Sequence, residues 1–183
     1  MNVVIIGMRG AGKSNISRRL ALLTKRAVMS TDVLVAYETG TGIPDFVARN
    51  GWAAFRDEEY LVLQKLAEID SVIIDCGGGI VVDLDDSGAE LLSARKLEAL
   101  RRLGPVIWLS GDLDRLAAKA AGSATRPVLD ERKSARELME KRLPFYEEAA
   151  DFVIDIEGRK RQQVAQQIAE LVYGEWTDPG FGR

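Results

Sequence analysis

Residues 7–14 read Gly-Met-Arg-Gly-Ala-Gly-Lys-Ser, which matches the pattern Gly-x-x-x-x-Gly-Lys-Ser/Thr. An apolar run at residues 3–6 precedes this segment, and apolar residues at the helical spacing of Ile16, Leu20 and Leu23 follow it. A strand that turns through glycines into a helix gathers backbone N–H groups and the positive end of the helix dipole around one point. The sequence therefore predicts a strand–turn–helix unit that binds phosphate.

This pattern is the P-loop of proteins that bind nucleoside triphosphates. We expect Lys13 to reach the β- and γ-phosphates and the Ser14 hydroxyl to ligate Mg²⁺. A glycine-rich turn that binds nothing is the alternative, but the flanking strand and helix favour phosphate binding. The residues expected to hold the nucleotide are Gly10, Ala11, Gly12, Lys13, Ser14 and Asn15.

The rest of the chain alternates short apolar runs with helical patterns. The further apolar runs lie at residues 27–29, 72–74, 105–109 and 152–156. Because apolar and polar residues do not alternate within them, they are typical of strands buried on both faces of a parallel sheet. We therefore predict a three-layer α/β fold in one domain, residues 1–176, followed by a flexible tail at residues 177–183.

Two stretches interrupt this alternation. Residues 120–133 are small, polar and charged, and they predict a mobile loop. Residues 83–104 predict a turn followed by an amphipathic helix, because apolar residues recur at helical spacing. The apolar residues of this helix are Leu91, Ala94, Leu97, Leu100 and Leu103.

Composition excludes several classes of function. The chain has no histidine and one cysteine, Cys76, which excludes serine–histidine and cysteine–histidine catalysis, internal disulfides and multi-cysteine zinc sites. With 25 Lys and Arg against 28 Asp and Glu, the net charge of −3 disfavours nucleic acid or an anionic membrane as a partner. No apolar run approaches the roughly 20 residues of a membrane span. We expect a soluble, cytoplasmic protein, in which Cys76 is a small buried apolar residue.

The P-loop alone does not separate a kinase from a GTPase or a motor. Residues 75–78 formally satisfy the Asp-x-x-Gly of a GTPase, but the guanine-reading Asn-Lys-x-Asp is absent. The chain is also short for a motor domain. These observations favour a small kinase.

Five ordered motifs together resemble the shikimate kinase family, over residues 1–171. After the P-loop come Thr-Asp at residues 31–32, a Gly-to-Glu segment at 51–59, Cys-Gly-Gly-Gly at 76–79, Thr-Arg-Pro at 125–127 and Arg-Leu-Pro-Phe-Tyr at 142–146. The resemblance implies a five-stranded parallel sheet and a lid over ATP, at about residues 120–133. We expect Gly122 and Ser123 to be the hinges of that lid.

The resemblance also implies the site residues. Arg56 and Arg142 match the arginines that hold the carboxylate of shikimate, and Asp32 matches the aspartate that binds its ring hydroxyls. The glycine triplet Gly77, Gly78 and Gly79 matches a segment of the family that contacts shikimate through its backbone. Glu59 matches an acidic residue that supports the arginine at position 56. The residues expected to act in catalysis are Asp32, Lys13 and Arg126, and Arg126 also matches a nucleotide-binding arginine of the lid.

Three departures from the family's pattern bear on the metal and the substrate. Ser30 stands where the family usually has an aspartate that helps to hold Mg²⁺, and Asp75 ends the following strand. Our hypothesis is an exchange, in which Asp75 supplies the outer-sphere Mg²⁺ carboxylate that Ser30 cannot. Trp52 and Ala36 replace usual glutamates and raise the chance of a different substrate.

We therefore predict a kinase that transfers the γ-phosphoryl group of ATP, with Mg²⁺, to the 3-hydroxyl of shikimate in aromatic amino-acid biosynthesis. A kinase of another small polyhydroxy acid, such as gluconate, and a non-catalytic nucleotide-binding regulator remain alternatives. The expected partners are small-molecule substrates, and we expect a monomer.

Overall fold

A computed structural model describes residues 1–121 and 134–174. The strands are β1 (Val3–Ile6), β2 (Ala27–Ser30), β3 (Val72–Asp75), β4 (Val82–Leu84), β5 (Glu90–Leu92), β6 (Val106–Ser110) and β7 (Phe152–Asp155). The helices are α1 (Lys13–Thr24), α2 (Thr31–Thr39), α3 (Ile43–Leu66), α4 (Ala94–Leu103), α5 (Leu113–Ala121), α6 (Ala135–Ala149) and α7 (Arg161–Tyr173).

Five strands form one parallel sheet in the order β2-β3-β1-β6-β7, which confirms the predicted α/β fold. All four residues of the central strand β1 are fully buried. Because successive side chains of a strand point to opposite faces, this burial requires cover on both faces of the sheet. Helices supply that cover, and no helix in the described ranges is long and apolar enough to cross a membrane.

The register of the sheet brings three chain segments to one edge. Asp75 at the end of β3 pairs with Ile5 of β1 and with Ser30 of β2. The P-loop follows β1, helix α2 follows β2, and the glycine triplet follows β3. In parallel α/β sheets ligands bind at this carboxyl edge, so the fold gathers the predicted site residues there.

The segment at residues 83–104 differs from its prediction. Strands β4 and β5 form an antiparallel hairpin, and helix α4 begins only at Ala94. The Ser93 hydroxyl accepts a hydrogen bond from the backbone N–H of Lys96 at 3.3 Å and so caps this helix. Leu91, which the helical spacing included, instead lies exposed on β5.

Candidate active site

The P-loop turns through two glycines in the left-handed region of backbone conformation. Gly10 has φ 84° and Gly12, the N-cap of α1, has φ 83°. A Cβ at Gly10 would also lie 3.0 Å from the carbonyl oxygen of Leu116 on α5, so this turn requires glycine. The ammonium of Lys13 donates hydrogen bonds to the carbonyl oxygens of Gly7 at 2.8 Å and Met8 at 3.1 Å, which holds a positive charge at the turn. Exposed Ser14 follows Lys13 in the first turn of α1.

The predicted substrate-binding residues lie against the glycine triplet. The Gly77 N–H donates a hydrogen bond to the Thr31 hydroxyl at 2.9 Å, which ties the triplet to the start of α2. A Cβ at Gly77 would clash with Oδ1 of Asp32, and a Cβ at Gly79 would lie 2.6 Å from Nη1 of Arg56. In their present positions, the side chains of Asp32 and Arg56 leave no room for a Cβ at Gly77 or Gly79.

Arg56 is buried, with 3% of its surface exposed, in the second half of the kinked helix α3. Its Nη1 donates to Glu59 Oε2 at 2.8 Å, and its guanidinium lies 5.3 Å from the Trp52 ring and 5.4 Å from the Phe55 ring. The Nε of Arg56 has no hydrogen-bond partner among the described residues. A fixed guanidinium with a spare donor is suited to a carboxylate ligand.

Glu59 supports Arg56 as a charged group. Burial would raise the pKa of Glu59, but the positive charges and hydrogen bonds of Arg56 and Lys96 outweigh burial and hold that pKa below its ordinary value. Lys96 Nζ donates to Glu59 Oε2 at 2.9 Å. The role that the sequence resemblance gave to Glu59 thus has a direct geometric basis.

Arg142 lies inside helix α6. Pro144 lies within the same helix, which continues to Ala149, and Tyr146 and Ala149 beyond the proline are buried in the core. Arg142 Nη1 donates to the Gly78 carbonyl oxygen at 3.0 Å, which brings this arginine to the triplet. Burial would lower the pKa of Arg142, but its hydrogen bonds and ion pair with Glu90 raise it above the ordinary value.

Asp75 offers a buried carboxylate at the same edge of the sheet. The residue is 5% exposed, and its Oδ1 has no hydrogen-bond partner within residues 1–121 and 134–174. The described residues contain no group of three or more His, Cys, Asp and Glu arranged to hold a metal. Mg²⁺ at nucleotide sites usually takes only one or two protein ligands besides phosphate and water. Ser14 fits as such a ligand, and the unpartnered oxygen of Asp75 can accept a hydrogen bond from a water bound to the ion.

A cavity of about 210 Å³ adjoins the P-loop, and the sequence reading had not predicted it. It lies between α1, α5 and the β7–α7 connection, with Ala11, Lys119, Glu157 and Arg161 among its lining residues. The sequence signal for this cavity was the position of Glu157, just beyond the carboxyl end of strand β7.

The structure therefore brings Asp32, Arg56, Arg142 and the glycine triplet together beside the P-loop. The N–H of Asn15 donates to the Gly12 carbonyl oxygen at 3.1 Å within that loop. Arg126, with the lid hinges Gly122 and Ser123, lies outside the described residues, as does the predicted tail. Their roles stay predictions.

Comparison with known proteins identifies the family. A family model described as shikimate kinase matches residues 9–173. A shikimate kinase of Leptospira biflexa is 46% identical over 173 residues, which are 94% of this chain and 96% of that protein. A shikimate kinase of Symbiobacterium thermophilum is 35% identical over 93% of this chain and 95% of that protein. The structure of the Acinetobacter baumannii shikimate kinase in complex with shikimate superimposes with a TM-score of 0.81 at 27% identity, covering 94% of this chain and 92% of that chain. The chain belongs to the shikimate kinase family.

Proposed function

We propose that this protein transfers the γ-phosphoryl group of ATP to the 3-hydroxyl of shikimate. The observation that carries the proposal is the convergence of Asp32, Arg56 and Arg142 on the glycine triplet, beside a P-loop. The names of its relatives, and the shikimate bound to the Acinetobacter baumannii enzyme, support the choice of acceptor. The proposed setting is the cytoplasm, with a monomer acting in aromatic amino-acid biosynthesis.

Two guanidinium groups hold the substrate carboxylate in this proposal. Arg56 offers its unpartnered Nε, and Arg142 offers the terminal N–H groups that its bonds to Glu90 and Gly78 leave over. Planar carboxylates suit such partners, because each charge-assisted hydrogen bond adds both energy and direction. Binding the carboxylate at this end turns the ring hydroxyls toward Asp32.

Asp32 orients the attacking hydroxyl. The hydroxyl oxygen forms a bond to the γ-phosphorus while the bond from that phosphorus to the β–γ bridging oxygen breaks, so ADP leaves. The hydroxyl proton passes to the Asp32 carboxylate. Such transfers depend chiefly on positioning and on positive charge around the γ-phosphate. Lys13 supplies part of that charge, and Arg126 is proposed to supply more from the lid.

The residues of the P-loop, Gly10 to Asn15, hold the phosphates, and the neighbouring cavity is the proposed site of the nucleoside. Ser14 and Asp75 would hold Mg²⁺, whose chemistry here is neutralisation of charge on the phosphate oxygens. The unpartnered buried oxygen of Asp75 supports that assignment.

The test is ADP release from Mg²⁺-ATP by the purified protein with shikimate, quinate or gluconate as acceptor. We expect turnover that depends on shikimate and is lost in Asp32→Asn. Turnover only with gluconate or quinate would move the proposal to another polyhydroxy acid. ATP binding without turnover on any acceptor would contradict it and favour a nucleotide-binding regulator.

A further inference from the structure

The β4–β5 hairpin is a stiff element that carries charged residues into the site. Its turn is tied by Asp85, whose Oδ1 accepts hydrogen bonds from the N–H groups of Ser87 and Ala89, each at 2.9 Å. The turn is exposed, whereas Glu90, at the start of β5, is only 6% exposed. The hairpin therefore places the carboxylate of Glu90 in the interior of the site.

The carboxylate of Glu90 binds two nitrogens of the Arg142 guanidinium. Its Oε2 accepts a hydrogen bond from Arg142 Nε at 2.8 Å, and its Oε1 accepts a second one from Arg142 Nη2. Arg142 Nη1 donates to the Gly78 carbonyl oxygen at 3.0 Å. These three bonds fix the plane of the guanidinium and leave one N–H on each terminal nitrogen without a partner in the described part of the chain.

Glu90 also lies between the two arginines. Its Oε1 is 4.0 Å from Nη2 of Arg56, whereas Glu59 accepts a hydrogen bond from the other terminal nitrogen, Nη1. Two guanidinium groups so close to one another repel, and a carboxylate between them offsets that repulsion. Each arginine thus has its own glutamate, Glu59 for Arg56 and Glu90 for Arg142.

Helix α4 completes this support through Lys96, which has no exposed surface. Its ammonium donates to Glu59 Oε2 at 2.9 Å and to the Val82 carbonyl oxygen at 2.8 Å, and it lies 3.3 Å from Asp83 Oδ1. The segment at residues 83–104 therefore reaches both arginines, Arg142 directly and Arg56 through Glu59. Because Glu59 and Glu90 offset much of the positive charge of the two arginines, a substrate carboxylate gains from the direction of the hydrogen bonds more than from net charge.

We propose that Glu90 is the positioning residue of Arg142, and that it orients this arginine for the carboxylate of the acceptor and so makes the enzyme select an acid over a neutral analogue. The proposal rests on the proposed function. An arginine released from Glu90 would turn toward other acceptors, and misplacement of a binding group by about 1 Å can cost up to about 100-fold in rate.

The test compares the wild-type enzyme with Glu90→Ala and Glu90→Gln. Asp86→Ala, an exposed position in the same hairpin turn, is the matched control. KM and kcat are measured for shikimate, for its carboxamide and for ATP. We expect Glu90→Ala to raise KM for shikimate about tenfold and to leave KM for ATP within about twofold. The preference for shikimate over the carboxamide, as a ratio of kcat/KM, should fall about tenfold as well.

Glu90→Gln has nearly the same shape and keeps one acceptor for Arg142, so we expect a smaller effect in the same direction. If Glu90→Ala does not fold, the kinetics of Glu90→Gln test the proposal. An unchanged preference for the acid over the carboxamide in a folded variant would overturn the proposal and leave Glu90 a structural role. A lower KM for shikimate would also overturn it, because Glu90 would then compete with the substrate. A wild-type enzyme without shikimate-dependent turnover would overturn the proposed function itself, an outcome distinct from either.

Discussion

Gly79 shows how a single missing side chain shapes this site. A Cβ there would lie 2.6 Å from Nη1 and 2.7 Å from Nη2 of Arg56, and that arginine is buried against the rings of Trp52 and Phe55. We therefore expect Gly79→Ala to displace the guanidinium and to raise KM for shikimate about tenfold, with KM for ATP unchanged. Steady-state kinetics with both substrates measure this.

Gly42→Ala is the control for that substitution. Gly42 has φ −67°, and a Cβ there would be 3.8 Å from Pro44, an ordinary contact. The control should keep wild-type kinetics. A Gly79→Ala enzyme with an unchanged KM for shikimate would contradict the placement of the substrate carboxylate at Arg56.

The register of Ser30 with Asp75 makes the proposed exchange of carboxylates testable. Asp75→Asn should raise the Mg²⁺ concentration for half-maximal activity by about tenfold or more, since loss of a supporting carboxylate typically weakens metal sites by about 10- to 100-fold. Adding Ser30→Asp should restore part of the Mg²⁺ response from the adjacent strand. Aspartate suits this position, because Ser30 is the N-cap of α2 and its side chain makes no capping bond.

The measurement is ADP release across a Mg²⁺ titration for the wild type, Asp75→Asn and the double variant. Identical Mg²⁺ dependence in the wild type and Asp75→Asn would remove Asp75 from the metal site. A double variant no better than Asp75→Asn would refute the exchange with Ser30.

The sequence motifs located Asp32, Arg56, Arg142 and the glycine triplet, because each follows a strand or lies in a recognisable local pattern. Glu90 and Lys96 were not predicted. Lys96 lies in α4, where the sequence pattern alone would leave a lysine in water, and its burial depends on Glu59, which is 37 residues away along the chain. Long-range charge pairing of this kind has no local signature.

At the scale of elements, the ion pairs of β4 make the stability of the hairpin depend on pH. Burial would raise the pKa of Asp83, but hydrogen bonds from Arg95 and Ser93 outweigh it and lower that pKa from 3.8 to about 2. An acid whose pKa is lower in the folded state stabilises the fold above its unfolded pKa, and this contribution is lost as the pH falls from about 4 to about 2. The contribution is at most about 2 kcal/mol.

Urea unfolding at pH 5 and at pH 2.5 measures this loss. The free energy of unfolding of the wild type should fall more between these two pH values than that of Asp83→Asn. Glu59, whose pKa is also lowered, acts in the same direction in both proteins and cancels in the comparison. An equal fall in the free energy of unfolding of the two proteins would contradict the role of Asp83.

The strands of the parallel sheet were predictable to within about one residue at each end, because buried parallel strands are short, continuous apolar runs. Helix α2 was not predicted, since Val33 and Tyr37 on it are exposed and Val35 is buried, which gives no clear apolar stripe. The hairpin was missed for a different reason. Its strands have three residues each, too few for a pattern of alternation.

At the scale of the whole molecule, the parallel sheet decides where chemistry can occur. The carboxyl ends of β1, β2 and β3 present the P-loop, Asp32 and the glycine triplet at one edge, and α6 adds Arg142 from later in the chain. The P-loop motif, which identifies the first strand and the first helix, therefore predicts the location of the site. It does not predict which side chains support that site from an inserted hairpin.

The proposed function requires the acceptor carboxylate to bind at Arg56 and Arg142, so that one ring hydroxyl meets Asp32. The most direct test is ³¹P–¹H correlation NMR of the product formed from shikimate and Mg²⁺-ATP. We predict a single phosphate monoester, coupled to the proton on carbon 3, and its absence with Asp32→Asn. A monoester at another hydroxyl, a mixture of positions, or the same product from Asp32→Asn would contradict this account.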